Sequence, residues 1–560
     1  MADIQHAQSS GYTECRVDSI AYVAGMIAVR HIGWNAVTFI ACMTAAIASA
    51  QTPAQEELRI PIRHWDVEGN SLLPAETVDG VLAPFLAPDR GLDDIRAAQR
   101  ELETAYRLAG YGTVTVTLPE QDIGSGTIRL RVVEGRIGRI DVSGNRHFDE
   151  ANLRSSIPAL QAGATPNVRR LDANIQLANE SPAKHMSVAL AAGRETGSVD
   201  AKVEVEDHPP QRFGASIDNT GTVDTGRTRV AVSYQHANLW NRDHVVAAQF
   251  LTSLEHTDRI KAYSAGYRAP FYEWNSSVDV FAAKSDVSGV STATTAGLLS
   301  FGARGTILGF RVNAYLPRIA GLDQKLIVGV DRRAYDNACS LGNFGAAGCG
   351  AAAANVTVRP LSIAWTGQLA RPGFQGGANI GYARNLPGGA NGGSADFAAA
   401  RSGAEAAYDL WRAGAQAGFA LPADMLLQGV LDVQETRHAL VPGEQFGLGG
   451  AGSVRGFVER AAANDNGYRA SIELYTAELA GALKLPGSLR LLAFHDVGGV
   501  TRNHALPGEE AHTRLASLGI GARYSLGRDA FLRFDLAHAT KTDGHDAQKQ
   551  QAHLSLQVYF

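Results

Sequence analysis

The sequence has 560 residues, of which 45% are hydrophobic and 19% charged, and its net charge is −5. This composition excludes a disordered chain, a bundle of membrane-spanning helices and, with only 4 cysteines, a disulfide-held scaffold. The weak acidity gives no reason to expect nucleic acid as a partner, and the 60 glycines indicate many turns and bent strands.

Residues 1–50 have the features of a secretory signal peptide. A long apolar run at 34–48 is preceded by a basic residue and ends in Ala48-Ser49-Ala50, a cleavage site of the A-x-A type. The run is shorter than the ~20 residues that a membrane-spanning helix needs, so a retained anchor is the weaker alternative. Met26 would begin a more typical signal, because the residues before it include several acids, and it is a second candidate start. We therefore predict an exported chain with a short leader at 51–57.

Two copies of one α+β unit follow, at 58–134 and 135–208. The segment Asp66-Val67-Glu68-Gly69-Asn70 recurs as Asp141-Val142-Ser143-Gly144-Asn145, and each copy ends a predicted strand in a glycine-asparagine turn. Each copy then shows two helical patterns and two strand patterns. The longest helix is indicated by apolar residues at three-to-four spacing, namely Ile95, Ala98, Leu102 and Tyr106. The sequence thus predicts two β-α-α-β-β units, with two ordinary α+β domains of unknown use as the alternative.

From 209 to 560 the apolar period changes to two. Leu532, Phe534 and Leu536 share one face of a predicted strand, and Arg533 and Asp535 share the other. In an exported chain this alternation predicts a large soluble β-protein or a transmembrane barrel, because only helices and closed barrels satisfy their backbone hydrogen bonds in lipid. The barrel is favoured by a final strand that ends on an aromatic residue, as outer-membrane barrels do. One face of that strand, which we interpret as an assembly signal, carries Leu554, Leu556, Val558 and Phe560.

Two short motifs lie within the barrel region. A long connection predicted at 438–466 contains Gly449, Gly450 and the run Val454-Arg455-Gly456-Phe457. The run Phe494-His495-Asp496-Val497-Gly498 closes a strand whose parity directs Phe494 and Asp496 into the lumen. Because arginine and carboxylate groups can pair bidentately, we predict that Arg455 lies on a loop folded into the lumen and binds Asp496. The alternative is a surface arginine in contact with water.

Taken together, the paired units, the V-R-G-F loop, the F-x-D-x-G strand and the terminal phenylalanine resemble the outer-membrane transporters of two-partner secretion. This haemolysin-activator and filamentous-haemagglutinin transporter family belongs to the superfamily of the central barrel-assembly protein. The resemblance covers 58–560 and implies two periplasmic POTRA domains followed by a 16-stranded antiparallel transmembrane β-barrel at 209–560. It places the chain in the Gram-negative outer membrane.

The resemblance also implies a task and a set of partners. The POTRA domains would receive a large secreted exoprotein, such as a haemolysin or an adhesin encoded by a neighbouring gene. The barrel would export it to the cell surface without ATP, for which the sequence has no G-x-x-x-x-G-K-[ST] motif. The implied further partners are outer-membrane lipid and, for biogenesis, the barrel-assembly machinery and periplasmic chaperones. A monomer without a nucleic-acid partner is expected.

Two other functions compete with secretion. One is an assembly factor that inserts other barrels, although such relatives generally carry more POTRA units. The other is a passive porin, which has no reason to carry POTRA domains. The sequence has neither G-x-S-x-G nor H-E-x-x-H, and we predict no enzyme, no catalytic residue, no cofactor and no metal.

Two further expectations concern how the pore is closed and whether a surface loop contains a disulfide. Many family members carry an amino-terminal plug helix, but only 51–57 precede the first unit here. We therefore expect no plug helix and closure mainly by the loop that bears Arg455. Counting strands places Cys339 and Cys349 in the fourth outward loop, where a disulfide is predicted because the chain is exported.

Overall fold

The computed structural model describes residues 59–122, 124–195, 197–222, 225–287, 290–301, 303–336, 354–544 and 550–560. The signal peptide with both candidate starts, the leader, the plug-helix expectation and the pair Cys339 and Cys349 lie outside the described residues and stay predictions. Among the residues that are described, no helix combines the length and the apolar character needed to cross a bilayer.

The first α+β unit is built on a three-stranded sheet. Its elements are β1 Ile60–Ile62, β2 His64–Glu68, α1 Ala75–Leu82, β3 Ala87–Arg90, α2 Leu92–Leu108, β4 Val114–Thr117 and β5 Thr127–Glu134. The sheet order is β2-β5-β4, with β2 parallel to β5 and β4 antiparallel to it, while β1 and β3 form a separate pair that the apolar pattern did not predict. The helix predicted from apolar spacing is α2, whose four spaced residues are all buried in the core of the unit.

The second unit repeats this topology. Its elements are β6 Arg136–Ser143, α3 Glu150–Ser155, α4 Val168–Ala178, β7 Lys184–Ala192 and β8 Ser198–Asp207. The sheet order is β6-β8-β7, again with a parallel pair followed by an antiparallel pair. The sequence repeat therefore corresponds to a structural repeat.

The repeated glycine-asparagine turn has the same local structure in both units. Gly69 and Gly144 have φ of +87° and +90°, a region that side chains with a Cβ rarely adopt. A Cβ at Gly144 would lie 2.2 Å from the carbonyl oxygen of Val205. The asparagine that follows closes the turn, since the amide of Asn145 donates to the Phe148 carbonyl at 2.8 Å. The motif recurs because the first strand must leave the sheet at the same point in each unit.

The remainder of the chain closes into a β-barrel. Its strands are β9 Gln211–Asp218, β10 Arg229–Leu239, β11 His244–Ser253, β12 Lys261–Phe271, β13 Ser276–Ser285, β16 Gly305–Ile319, β17 Leu322–Tyr335, β18 Val356–Val358, β19 Pro360–Arg371, β20 Phe374–Asn385, β21 Asp409–Leu421, β22 Met425–Glu435, β25 Asn466–Tyr475, β26 Ser488–Thr501, β27 His512–Leu526, β28 Ala530–Lys541 and β29 Gln550–Tyr559. Three inserted elements complete the chain order: the hairpin β14 Val290–Thr294 and β15 Gly297–Phe301, the helix α5 Ser394–Ala400, and the hairpin β23 Phe446–Leu448 and β24 Ala462–Asn464. Because β18 and β19 both pair with β17 and count as one strand, the barrel has 16 strands, and β29 closes it against β9. The predicted fold class is confirmed.

Side chains alternate between the two faces of the barrel wall as the sequence predicts. On the outward face Val232, Ile472 and Leu554 are 57%, 58% and 48% exposed. On the lumenal face Asp496 and Asp535 are fully buried. Apolar groups thus face lipid and charged groups meet one another inside, as in transmembrane barrels.

Among the described residues, two segments lie in the lumen. One is the β14–β15 hairpin, whose Thr292 hydroxyl and Ala293 amide lie 2.6 and 2.9 Å from the side-chain oxygen of Gln249 on the inner wall. The other is the connection from β22 to β25 at 436–465, which contains the β23–β24 hairpin and is called the lumenal loop below. The lumenal loop carries the first sequence motif and is therefore the candidate site.

Candidate functional site

The tip of the lumenal loop is deeply buried. Val454, Arg455 and Phe457 are 0%, 2% and 1% exposed. Val454 and Phe457 pack with Leu448 of the loop and with Leu515 of the wall. This tip is therefore not a surface loop, and Arg455 is not an arginine in contact with water.

The guanidinium of Arg455 pairs bidentately with Asp496. Its Nε and Nη2 lie 2.7 Å from Oδ2 and Oδ1 of that carboxylate, and the Arg455 backbone amide donates to Oδ2 at 3.1 Å. The guanidinium carbon lies 3.4 Å from the centroid of the Phe494 ring, a cation–π geometry. The structure thus brings together the two motifs that the sequence singles out. The Phe494 ring packs against the guanidinium of Arg455, while the bidentate hydrogen bonds to Asp496 orient it.

Two further carboxylates reach Arg455, and sequence analysis did not identify either of them. Glu473 and Asp535 lie 2.6 and 3.3 Å from Nη1. Asp535 is shared with Arg523 at 2.8 Å and with Arg533 at 2.7 Å. Three guanidinium groups therefore face three carboxylates, counting Asp496. Strand parity assigned Asp535 to the lumenal face, which was the only sequence signal for its role.

Burial by itself would lower the pKa of Arg455, but the hydrogen bonds and the charge of Asp496 outweigh that effect and raise the pKa above its ordinary value. Glu473 and Asp535 act in the same direction. The tip is therefore held by a permanent positive charge.

Glycines allow the tip to approach the wall closely. Gly449, Gly450 and Gly456 all have φ between +94° and +106°. Gly498, on the partner strand, has no side chain where Leu448 of the loop packs, and a Cβ there would lie 2.3 Å from the Leu448 Cδ1. The glycine in F-x-D-x-G thus makes room for the loop that its aspartate holds.

The outer end of the lumenal loop is tied to neighbouring connections. Asp465 accepts hydrogen bonds from the amides of Leu440 at 2.7 Å and Asn503 at 2.8 Å, and it pairs with Arg401 just after α5. Both ends of the loop are therefore joined at one buried carboxylate.

At the opposite end of the barrel, the second α+β unit is locked onto the strand turns. The Lys184 ammonium is fully buried and lies 2.6 Å from Asp243 in the β10–β11 turn, while Tyr272 donates to the same carboxylate at 2.7 Å. Burial lowers the pKa of Lys184, although Asp243 opposes the shift. Glu180, after α4, reaches Arg268 at 3.1 Å and Lys325 at 2.7 Å on barrel strands. The second unit is therefore fixed to this end of the barrel by buried and partly buried ion pairs.

The remaining predicted residues are distributed as follows. Leu554 and Leu556 lie exposed on the outer face of β29, with Val558 partly buried beside them, and Phe560 is exposed directly after the strand. Phe560 exchanges backbone hydrogen bonds with Phe213 at the seam. Among the described residues, no cluster of three or more His, Cys, Asp or Glu side chains is arranged to hold a metal.

Comparisons with known proteins agree with this architecture. The family model for the haemolysin secretion/activation protein ShlB/FhaC/HecB matches residues 197–524, and the model for the ShlB-type POTRA domain matches 60–135. The outer membrane transporter CdiB of Dickeya dadantii (strain 3937) is 25% identical over 238 residues, which is 41% of each chain. The heme/hemopexin transporter protein HuxB of Haemophilus influenzae is 23% identical over 190 residues, which is 33% of each chain. The alignments thus span less than half of these relatives' lengths.

Solved structures show the same fold over almost the whole chain. CdiB from Escherichia coli superposes with a TM-score of 0.70 at 18% identity and covers 92% of this chain and 93% of its own. CdiB from Acinetobacter baumannii gives 0.67 at 15% identity, with 90% and 91% covered. At these identities the likeness is one of fold.

Proposed function

The chain belongs to the haemolysin secretion/activation family ShlB/FhaC/HecB, and from that premise we propose that it exports a large secreted protein through its outer-membrane barrel. The periplasmic units receive the cargo in an unfolded state, and the barrel conducts it to the cell surface. Export uses no ATP and involves no chemical step on the cargo, and it is drawn forward as the cargo folds outside. The cargo is encoded by a neighbouring gene, as expected for a two-partner system.

The observation that carries this proposal is the buried tip of the lumenal loop, with an entrance unit fixed at the opposite end of the barrel. A passive porin gains nothing from a loop held by three carboxylates, and it needs no α+β units at its mouth. A protein exporter needs both, since it must admit one cargo and remain closed to small solutes when idle.

Cargo recognition is assigned to the sheet edges of the two units. The sheet orders leave β2 and β4 at the edges of the first sheet and β6 and β7 at the edges of the second. An edge strand presents unpaired backbone groups, and an extended segment of cargo can add to it as a further strand. Outer-membrane lipid surrounds the monomeric barrel, which the periplasmic chaperones and the barrel-assembly machinery insert.

Arg455→Ala tests the proposal, with Arg437→Ala, an exposed arginine of the same loop, as the matched control. Secretion of the neighbouring gene's product is measured in a deletion strain that carries each variant, and barrel folding is checked by heat-modifiable mobility on gels. Arg455→Ala should abolish secretion and leave the barrel inserted, while the control secretes normally. Normal secretion by Arg455→Ala would contradict the role given to the loop.

The same strains separate export from the assembly alternative. If the protein inserts other barrels, deleting it lowers the outer-membrane levels of unrelated porins. If it exports one cargo, those levels stay unchanged and only the neighbouring gene's product disappears from the medium.

A further inference from the structure

The lumenal loop touches the barrel wall at a second point, eleven residues before Arg455 in the sequence. Glu444 lies in a 3-10 turn, Pro442–Glu444, and is 2% exposed. Its carboxylate accepts hydrogen bonds from Nη1 of Arg333 at 2.9 and 3.0 Å and from the hydroxyl of Tyr335 at 2.5 Å. Both partners lie on β17, so the loop has an acidic anchor in addition to its basic tip.

The two anchors lie on different parts of the barrel wall. Arg455 reaches Glu473 on β25, Asp496 on β26 and Asp535 on β28. Glu444 pairs with Arg333 on β17 and lies 3.8 Å from Arg412 on β21, and its backbone carbonyl accepts a hydrogen bond from Gln434 on β22. Around the closed sheet, β17 lies six strands from β26, which carries the bidentate partner of Arg455. The loop is therefore held at two separate places in the lumen.

The loop carries opposite charges at its two anchors, and each charge faces wall residues of the opposite sign. The wall near the tip is acidic and receives a loop arginine, whereas the wall at β17 is basic and receives a loop glutamate. On that side Arg311 and Arg333 share one carboxylate, Asp331, at 2.5 and 2.7 Å. Glu444 supplies the missing negative charge. Such a pattern fixes which end of the loop meets which wall, because the reversed arrangement would bring like charges together.

The two anchors differ in which charge stays unpaired on the barrel wall after the loop residue leaves. If Arg455 withdrew, Asp496 would remain fully buried without a cation, which is costly. If Glu444 withdrew, Arg333 would keep Asp331 as its partner on the wall. The Glu444 end is therefore the easier one to release.

From this asymmetry we propose that Glu444 is the releasable latch of the lumenal loop and that Arg455 is its pivot. The Glu444–Arg333 contact holds the loop in the idle pore, and it breaks when cargo enters while the tip stays in place. This inference rests on the proposed export function, since it names the residue that positions the loop for that process.

Planar-bilayer recordings of the purified full chain test the latch without any cargo. Glu444→Gln keeps the shape of the side chain and removes its charge, and Arg333→Gln removes the other half of the contact. Each should raise the ratio of open to closed time about tenfold, equivalent to about 1.4 kcal/mol. Because the two residues share one contact, the double variant should open no more than either single variant. Glu435→Gln is the control and should behave like the parent, because Glu435 is an exposed acidic residue at the end of β22.

The outcomes are distinguishable. Unchanged conductance in both single variants overturns the latch, as does an equal rise in the Glu435 control. Additive effects in the double variant also overturn it, since they would mean that the two residues act separately. If one variant fails the heat-modifiable mobility check, the other decides the result. Secretion by the strain that lacks this protein is measured separately, and its loss bears only on the export function.

A cross-link tests the movement itself. In a chain that also carries Cys339→Ser and Cys349→Ser, Glu444→Cys and Arg333→Cys are joined by a short reducible bis-thiol reagent. Secretion should stop when the link forms and return after reduction. Continued secretion by fully cross-linked protein would show that this end of the loop does not need to move, and the proposal would fail.

Discussion

The buried ion pair between Lys184 and Asp243 gives a quantitative test of how the second unit is held on the barrel. The Lys184 ammonium donates to Asp243 at 2.6 Å, to Ser156 at 2.9 Å and to Asn152 at 3.1 Å. Lys184→Met keeps the length of the side chain but leaves Asp243 buried without a counter-charge. Breaking a buried pair from one side costs about 3–5 kcal/mol. Tyr272 still donates to Asp243, so we expect a loss near the lower end of that range.

Amide hydrogen exchange, measured by mass spectrometry on the protein in lipid, reports this loss locally. A loss of about 3 kcal/mol corresponds to about 100-fold faster exchange in β7 and α3. Lys202→Met is the matched control, because Lys202 is 61% exposed and pairs with Glu204 at the surface, where ion pairs contribute little to stability. Barrel strands should exchange at the parental rate in both variants.

A second variant makes the reasoning refutable. Lys184→Met combined with Asp243→Asn removes both charges, and it should recover much of the lost protection because no buried charge remains unpaired. If Lys184→Met exchanges like the parent, or if the double variant is no better than the single one, the ion pair is not what holds the unit in place.

Three other outcomes are expected. Asp496→Asn should weaken secretion strongly while the barrel still folds, because the tip arginine keeps two other carboxylates but loses its bidentate partner; secretion at the parental level would contradict this. Gly144→Ala should destabilise the second unit by at least ~2 kcal/mol, since φ is +90° and a backbone oxygen would lie 2.2 Å from the new Cβ. Gly80→Ala, in an open helix position, should instead stabilise the first unit by ~0.5–1 kcal/mol. Denaturant-dependent hydrogen exchange measures both changes. Alkylation of Cys339 and Cys349 should shift the mass of the protein only after reduction, and a shift without reductant would exclude the predicted disulfide.

Much of the architecture is predictable because its signals are local. The glycine-asparagine repeat identifies two copies of one unit, since each turn needs a glycine at the same backbone conformation. Alternation along a strand shows which residues share a face, and the structure places Asp496 and Asp535 on the lumenal face. The β1–β3 pair was missed because a strand of three residues is too short to show an alternating pattern.

The candidate site was only partly predictable. The pairing of Arg455 with Asp496 could be proposed because both motifs stand out and arginine on an inward loop needs a carboxylate. Glu444 carries no comparable signal, because an acidic residue in a glycine-rich loop is ordinary in any sequence. Its partner Arg333 lies more than a hundred residues earlier in the chain.

The sequence by itself determined the two units, the period-two wall and the charged tip of the lumenal loop, because turns and side-chain parity depend on neighbouring residues. Only the tertiary structure decided which charges meet. Closing the sheet between β9 and β29 fixes where every strand lies around the lumen, and that closure places β17 six strands from β26. The course of the loop between an acidic wall and a basic wall follows from this long-range geometry, which no local pattern encodes.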